Sequence, residues 1–177
     1  MRYMEISIID KSTIKIKGKN VSFIVSPTSS MPKTPADAVL FLKDLDNADS
    51  MASKVAEARV MIKGPGSYEI GGARVSVVRA GGGLFYSLNI DGLNISLGNT
   101  SGAQMLQDIA SSSVLVLDVD SDFKETMISS FEPSVAVLFG DKADAALKLL
   151  GKEHQTVSKF TQSADKLPTD LHVVLLK

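Results

Sequence analysis

The sequence predicts a layered α/β fold in which β-sheets are covered by helices. Two observations support this prediction. Short runs of β-branched residues, separated by tight turns, fill the first part of the chain and are typical of antiparallel strands. In the last third, apolar runs alternate with segments of helical periodicity, which is typical of βαβ units.

The N-terminal part is predicted to contain three short strands followed by a loop. The strands are Glu5–Ile9, Thr13–Lys17 and Val21–Val25, because each carries β-branched residues and ends at a polar or glycine-containing turn. Residues Ser26–Pro35 contain three prolines and five serine or threonine residues, so we expect a loop there.

The next segment mixes strand and helix signals. Ala38–Leu42 is a continuous apolar run, as in a buried strand, and Val60–Ile62 is a second strand. Between them, the spacing of apolar residues over Asn47–Ala58 predicts a helix. Gly64–Glu69 lacks the lysine and the following helix of a phosphate-binding loop. Its glycines and proline instead predict a sharp turn in which Tyr68 is packed.

The middle of the chain reads as an antiparallel meander. Ala73–Arg79 alternates between apolar and polar residues, and Gly81-Gly82-Gly83 then turns the chain. Leu84–Ile90 and Leu93–Leu97 flank Asp91-Gly92, which is a strong signal for a two-residue hairpin.

The last third alternates strands and helices. The predicted apolar strands are Val114–Val119, Val135–Phe139 and His172–Leu176. The predicted helices are Gly102–Ala110, Asp122–Phe131 and a helix through Leu150. Asp122 and Asp141 are expected to cap the second and third of these helices, and Gly151 suits the position just after the third.

Composition limits the classes of function. The 177 residues predict one domain over residues 1–177 at about 150 residues per domain. The net charge of −1 argues against a nucleic-acid-binding surface. No apolar run reaches the ~18 residues that span a membrane, and no signal-peptide pattern is found, so we expect a cytoplasmic protein without membrane contact.

Several segments together carry a family resemblance. They are Ile14–Lys19, Ala36–Leu40, Gly64–Ile70, Asp91-Gly92-Leu93, Leu97-Gly98-Asn99, Glu132-Pro133 with the strand after it, and Lys166-Leu167-Pro168. In their order and spacing they resemble small bacterial proteins of the metallo-β-lactamase superfamily. The resemblance implies an αββα four-layer sandwich, two mixed sheets between helical layers, with a metal site at one edge.

The family's metal ligands do not carry over to this chain. Where the family has His-x-His-x-Asp-His, the sequence reads Lys43-Asp44-Leu45-Asp46-Asn47-Ala48, so the ligand positions hold Lys43, Leu45, Asn47 and Ala48. By the same resemblance, the metal-bridging aspartate is replaced by Asn99, and the late histidine falls at Gly140. The whole sequence has two histidines and no cysteine, whereas a two-metal site of this type needs four or more histidines. We therefore expect no zinc site and no other cofactor.

The aspartates leave an alternative open. Asp44, Asp46 and Asp118 can supply oxygen ligands to a rebuilt metal site. The simpler interpretation is that Asp44 forms a surface pair with Lys43, and that Asp118 ends a strand. Asp120 would then turn the chain. Counting a calcium loop from Asp118 fails, because its sixth and twelfth positions are not glycine and glutamate.

Two functional hypotheses follow from the sequence. The first is a non-catalytic protein of this fold that has lost its metal-binding residues and serves in binding or assembly, either as a homo-oligomer or with a protein or small-molecule partner. The second is a metal-dependent hydrolase that uses the rebuilt carboxylate site. Neither nucleic acid nor membrane is an expected partner.

Overall fold

The protein is built on two large β-sheets. The computed structural model describes residues 2–106 and 111–177. One sheet has six strands and the other has eight, and a small parallel pair of strands accompanies them.

The six-stranded sheet comes mainly from the first third of the chain. Its strands are β1 Met4–Asp10, β2 Thr13–Lys17, β3 Ser22–Val25, β5 Ala38–Leu40, β7 Val60–Ile62 and β15 Lys159–Gln162. The small pair is β4 Thr34–Pro35 and β6 Val55–Ala56. Strands β15, β1, β2 and β3 pair antiparallel, whereas β3, β5 and β7 pair parallel, so the sheet is mixed.

The eight-stranded sheet is also mixed. Its strands are β8 Gly66–Ile70, β9 Ala73–Ala80, β10 Gly83–Ile90, β11 Leu93–Asn99, β12 Val114–Asp118, β13 Val135–Phe139, β14 His154–Val157 and β16 His172–Leu176. Strands β8 to β11 form an antiparallel meander, and β11, β12, β13, β16 and β14 pair parallel.

The helices are short. They are α1 Ala48–Met51, α2 Thr100–Met105, α3 Thr126–Ser129 and α4 Ala143–Leu150, with single 3₁₀ turns at Ala52–Lys54 and Ala164–Lys166. No helix in residues 2–106 or 111–177 is long and apolar enough to cross a membrane.

The main core lies between the two sheets. Ile6 and Phe23 of the first sheet meet Tyr86 and Val116 of the second, and all four are fully buried. The hydroxyl of Tyr86 donates a hydrogen bond to the Phe41 carbonyl oxygen at 2.7 Å, so this buried polar group has a partner.

Apolar side chains also cover the outer faces of the sheets. Leu117 of β12 packs with Met127 of α3 and Leu147 of α4. Behind the first sheet, Val39 packs with Ala48 of α1. Strand β12 is therefore buried on both faces, which explains its unbroken apolar sequence. The predicted αββα sandwich of two mixed sheets and flanking helices is confirmed.

The helix predicted over Asn47–Ala58 is wrong in its extent. Helix α1 ends at Met51, and after one 3₁₀ turn Val55 and Ala56 form strand β6 against β4. Val55 packs on buried apolar side chains beside the first sheet, and this tertiary packing outweighs a weak local helical preference. Strand β4 lies at the end of the predicted loop.

Two further helix predictions need correction. Over Asp122–Phe131 only Thr126–Ser129 is helical, so Asp122 does not cap it. Helix α4 begins after Lys142, and no side chain caps it, so Asp141 is not its cap either. Gly151 adopts φ 61° just after α4, as predicted. The helix predicted over Gly102–Ala110 is observed in part as α2, which starts two residues earlier, at Thr100, and ends at Met105. The last four residues of the predicted range, 107–110, lie outside the described part of the chain.

Some strands were not predicted. Gly66–Ile70, expected to belong to a turn, forms edge strand β8, although Tyr68 does pack on the main core as expected. Strands β14 and β15 are also absent from the sequence prediction. Most of their residues are exposed, so they carry no apolar alternation to reveal them.

Candidate functional site

The candidate site lies at the edge where the carboxyl ends of neighbouring strands meet. Asn99 pairs with Asp118 at the ends of β11 and β12, and Asp118 pairs with Phe139 at the end of β13. In parallel strands these ends share one edge of the sheet, where loops can place functional side chains.

The first sheet reaches the same edge through the residues after β5. The Leu84 amide donates a hydrogen bond to the Leu42 carbonyl oxygen at 3.0 Å, and Lys43 pairs with Gly83. A Cβ atom at Gly83 would lie 2.2 Å from that carbonyl oxygen, so only glycine permits this approach of the two sheets. The contact holds the backbone of Lys43 at this edge, so its side chain begins there.

Lys43 and Asp120 form an ion pair at this edge. The Lys43 Nζ atom lies 2.8 Å from Asp120 Oδ2, and the Asp120 side chain is only 21% exposed. The hydrogen bond to Asp120 raises the pKa of Lys43, and burial opposes this increase. The negative charges of Asp120, Asp118 and Asp141 raise the pKa of Lys43 further. Lys43 is therefore a protonated ammonium group at neutral pH.

A hydroxyl group also contacts Asp120, and a second hydroxyl contacts the first. The Thr100 hydroxyl donates a hydrogen bond to Asp120 Oδ1 at 2.8 Å and also contacts the Ser121 hydroxyl. Burial opposes ionisation of Asp120, but the hydrogen bonds from Lys43 and Thr100 outweigh it and hold its pKa below the usual value. Asp120 is therefore a carboxylate with fixed partners.

Asp118 is the most buried acid at this edge. Asp118 is 6% exposed, and this burial raises the pKa of its carboxyl group to about 7. The charges of Asp120 and Asp141 raise this pKa further, whereas the charge of Lys43 lowers it. Gly140 adopts φ 97°, and a Cβ atom there would lie 2.2 Å from Asp118 Oδ1. The carboxyl group of Asp118 thus occupies the space next to Gly140.

Asn99 has a structural role. Its Oδ1 atom accepts a hydrogen bond from the Gly102 amide at 2.8 Å, which caps the start of α2. Asn99 is 5% exposed.

The three aspartates of the rebuilt-site hypothesis have different surroundings. Asp44 Oδ2 lies 2.6 Å from Arg79 Nη1, so the predicted surface pair of Asp44 with Lys43 is wrong. Asp46 is exposed in the loop before α1, and Asp118 is buried. Across residues 2–106 and 111–177, no three His, Cys, Asp or Glu side chains form a group that can hold a metal ion.

Sequence reasoning missed three partners at this edge. Asp120 was expected only to turn the chain, and its amide does bond to the Asp118 carbonyl oxygen at 3.1 Å, but its carboxylate also binds Lys43. Thr100 and Ser121 were not singled out at all. The signal available was the position of Asp120 directly after the predicted strand Val114–Val119, and of Thr100 three residues after the predicted end of Leu93–Leu97.

Three solved structures show which fold this is. The chain matches a candidate zinc-dependent hydrolase of the metallo-β-lactamase superfamily from Thermotoga maritima at 16% identity and TM-score 0.75, covering 98% of each chain. It matches the metallo-β-lactamase fold protein YhfI from Bacillus subtilis at 7% identity and TM-score 0.58, covering 100% of this chain and 97% of that one. The chain has the metallo-β-lactamase fold.

A third match has the same arrangement. The metallo hydrolase Igni18 from Ignicoccus hospitalis matches at 10% identity and TM-score 0.61, covering 91% of this chain and 99% of that one. Neither a protein-family model nor a curated protein sequence matches the chain. At these identities the likeness concerns the fold alone.

The positions that the family resemblance assigns to metal ligands divide into two groups. Lys43, Asn99 and Gly140 lie around Asp118 and Asp120 at the edge of the metallo-β-lactamase fold. The remaining positions lie in the loop and first turn before β6. There Leu45 is 42% exposed, Asn47 precedes α1 without capping it, and Ala48 is packed on the first sheet.

The donors at this edge do not fit zinc. A protonated lysine has no lone pair to give a metal, the Asn99 oxygen is engaged by the Gly102 amide, and Gly140 has no side chain. Zinc in hydrolases of this kind is held by imidazole nitrogens and carboxylates. The two carboxylates present, Asp118 and Asp120, have the Lys43 ammonium group beside them instead.

Proposed function

We propose that this chain is a non-catalytic protein of the metallo-β-lactamase fold that serves in binding or assembly. The observation that carries the proposal is the 2.8 Å ion pair between Lys43 Nζ and Asp120 Oδ2, at the edge where the resemblance places the metal. In this proposal the ammonium group supplies the positive charge that balances the carboxylates of the edge, and no metal or other cofactor is needed.

Electrostatic repulsion supports the proposal. Two unit charges 4 Å apart interact by about 4 kcal/mol at an effective dielectric constant of about 20, so a divalent ion at that distance from the Lys43 ammonium would be repelled by about 8 kcal/mol. Moving Lys43 aside would instead break its pair with Asp120. Either route weakens metal binding.

The competing hydrolase hypothesis depends on the three aspartates forming a metal site. Hydrolysis in metal-dependent enzymes depends on a bound ion that lowers the pKa of water. The rebuilt site of Asp44, Asp46 and Asp118 has less support, because Arg79 pairs with Asp44 and the three do not converge in the part of the chain that the structure describes. That hydrolase hypothesis remains the competing outcome of the experiment below.

The partner class follows from charge and from the sheet edges. A net charge of −1 does not favour nucleic acid. Strand β8 is the last strand of the eight-stranded sheet, and such an edge can pair with another chain. We propose self-association as the first assembly to examine, by sedimentation velocity over a range of concentrations.

Metal analysis combined with an activity screen tests the proposal. The purified protein is incubated with Zn²⁺, Mn²⁺ or Fe²⁺, dialysed, analysed for bound metal, and assayed on phosphodiester and lactone substrates with each ion present. We expect substoichiometric metal and no turnover above that of the Asp44→Asn, Asp46→Asn and Asp118→Asn variants. Stoichiometric metal, together with turnover that these three variants abolish, would overturn the proposal in favour of the hydrolase.

A further inference from the structure

Strand β8 is an edge strand that the fold leaves unprotected. It lies at the end of the eight-stranded sheet and pairs with β9 on one side. Edge strands are usually protected by short length, lysine, proline or a bulge. Among the strands that end the two sheets, β7 has three residues and β14 and β15 have four each, whereas β8 has five. Its register over Gly66–Ile70 is unbroken and contains neither lysine nor proline.

The hairpin between β8 and β9 determines which backbone groups face outward. Its two-residue turn is Gly71-Gly72, with φ 56° and 84°, as in a type I′ turn. The residues that flank such a turn exchange both backbone hydrogen bonds, and this pattern recurs at every second pair. Because Ile70 pairs with Ala73, the amide and carbonyl groups of Ser67 and Glu69 point away from β9. Within residues 2–106 and 111–177, no other backbone segment bonds to them.

Three antiparallel registers bring an outward residue of β8 opposite an outward residue of a second copy. If Glu69 faces Glu69 of the second copy, two carboxylates lie directly opposite each other, which is unfavourable. If Ser67 faces Ser67 of the second copy, Glu69 falls opposite Pro65, which has no amide hydrogen to donate. In the third register Ser67 faces Glu69 of the second copy, so the outward groups satisfy one another and all five residues of β8 are paired.

We propose, on the basis of the assembly role above, that two copies of this chain pair through β8 in this third register. The partner is a second copy because the edge complements itself. At each end of the contact the Ser67 hydroxyl can donate a hydrogen bond to the carboxylate of Glu69 of the second copy. Arg74 lies opposite Glu69 on β9 and offsets the charge of that carboxylate. At the centre Tyr68, half-buried on its own core, faces Tyr68 of the second copy.

Register-specific cross-linking tests the pairing. The sequence contains no cysteine, so each single-cysteine variant reports on one position. Residues 67 and 69 of facing copies would have Cα atoms about 5.5 Å apart, within the disulfide range of about 4.4–6.8 Å. The two copies of residue 67 would lie about 8–9 Å apart, beyond that range. We therefore expect a mixture of Ser67→Cys and Glu69→Cys to form a disulfide-linked dimer under mild oxidation, and either variant alone to form much less.

Ser76→Cys is the matched control for the cross-linking. Ser76 is exposed and pairs with Ser67 on β9, one strand further from the edge. A mixture of Ser76→Cys and Ser67→Cys should cross-link only through random collision. The proposal is overturned if the mixture of Ser67→Cys and Glu69→Cys links no more than this control. It is equally overturned if Ser67→Cys alone links as readily as that mixture, because the register would then be different.

Sedimentation velocity over a range of concentrations gives an independent measurement. Ser67→Lys places an ammonium group opposite Glu69 of the second copy and should lower the dimer Kd by about threefold or more. Ser67→Glu places two carboxylates opposite each other and should raise the Kd by a similar factor of about three. Ser76→Lys and Ser76→Glu make the same changes of net charge one strand away and should shift the Kd less.

Two sedimentation results would contradict the pairing. They are a monomer at every concentration and a shift of the Kd in the same direction by both Ser67 variants. Sedimentation and cross-linking measure contact and not activity, so they can fail while the protein remains non-catalytic. The metal analysis and activity screen above test the non-catalytic function separately.

Discussion

Replacement of Lys43 by methionine tests the central ion pair most directly. Methionine keeps much of the aliphatic stem and removes the charge that faces Asp120. The Lys43 side chain is 55% exposed and that of Asp120 is 21% exposed, so solvent screens part of the interaction. We therefore expect a loss of about 1–2 kcal/mol in the free energy of unfolding at pH 7. For a chain of this size that corresponds to a fall of about 2–8 °C in melting temperature.

The pH dependence of this loss has a defined sign. The folded protein holds the pKa of Asp120 below its usual value, so the stabilisation is present above the ordinary carboxyl pKa of about 4 and is lost as the pH falls through the lowered pKa. Urea unfolding of both proteins should therefore show a difference at pH 7 that shrinks below about pH 4.

Lys63→Met provides a control that is matched in charge. Lys63 Nζ lies 2.9 Å from Asp49 Oδ1, but both side chains are at least half exposed, at 50% and 78%. Its replacement should cost less than about 0.5 kcal/mol. Equal losses from Lys43→Met and Lys63→Met would refute the reasoning. So would an Asp120→Asn change that costs as much in the Lys43→Met background as alone, because paired residues are not additive.

Three other predictions follow from the same structure. Because the folded protein raises the pKa of Asp118 to about 7, the free energy of unfolding should fall as the pH rises from about 4 through 7. Asp118→Asn should remove that fall, as measured by urea-unfolding midpoints. An unchanged pH dependence in this variant would contradict the raised pKa of Asp118. Gly140→Ala should lower the free energy of unfolding by about 2–3 kcal/mol, because it adds a collision with Asp118 to backbone strain. The control Gly72→Ala, at φ 84° with open space around it, should cost about 1 kcal/mol. Equal costs in thermal unfolding would count against the collision. Tyr86→Phe should cost about 1–2 kcal/mol by leaving a buried carbonyl oxygen unpaired, and an unchanged melting temperature would show that another group satisfies it.

The sequence predicts the elements whose signals are local. The hairpin across Asp91-Gly92 is present, with φ 51° and 86° at the two turn residues, because a two-residue turn of this kind needs positive φ at both positions. The strand Val135–Phe139 is also present within the predicted bounds, because its apolar run is long enough to be buried on both faces.

Features that depend on distant parts of the chain could not be predicted in the same way. The pair of Lys43 with Asp120 exists because the two sheets meet at Gly83, and no local pattern encodes that contact. Edge strand β14 is polar and exposed, so it resembles a loop in the sequence even though it pairs with β16. The candidate site was thus located by resemblance, whereas its ion pair required the tertiary structure.

The residues of the edge depend on one another sterically and electrostatically. The carboxyl group of Asp118 fills the space that a side chain at Gly140 would need, and the Lys43 ammonium group offsets the charges of Asp118 and Asp120. A histidine at position 140 would collide with Asp118, and a neutral histidine at position 43 would leave the carboxylates without their counter-charge. We therefore expect a single histidine at either position to destabilise the edge. Lys43, Asp118 and Gly140 depend on one another in this way, so building a metal centre here would need changes at several positions together.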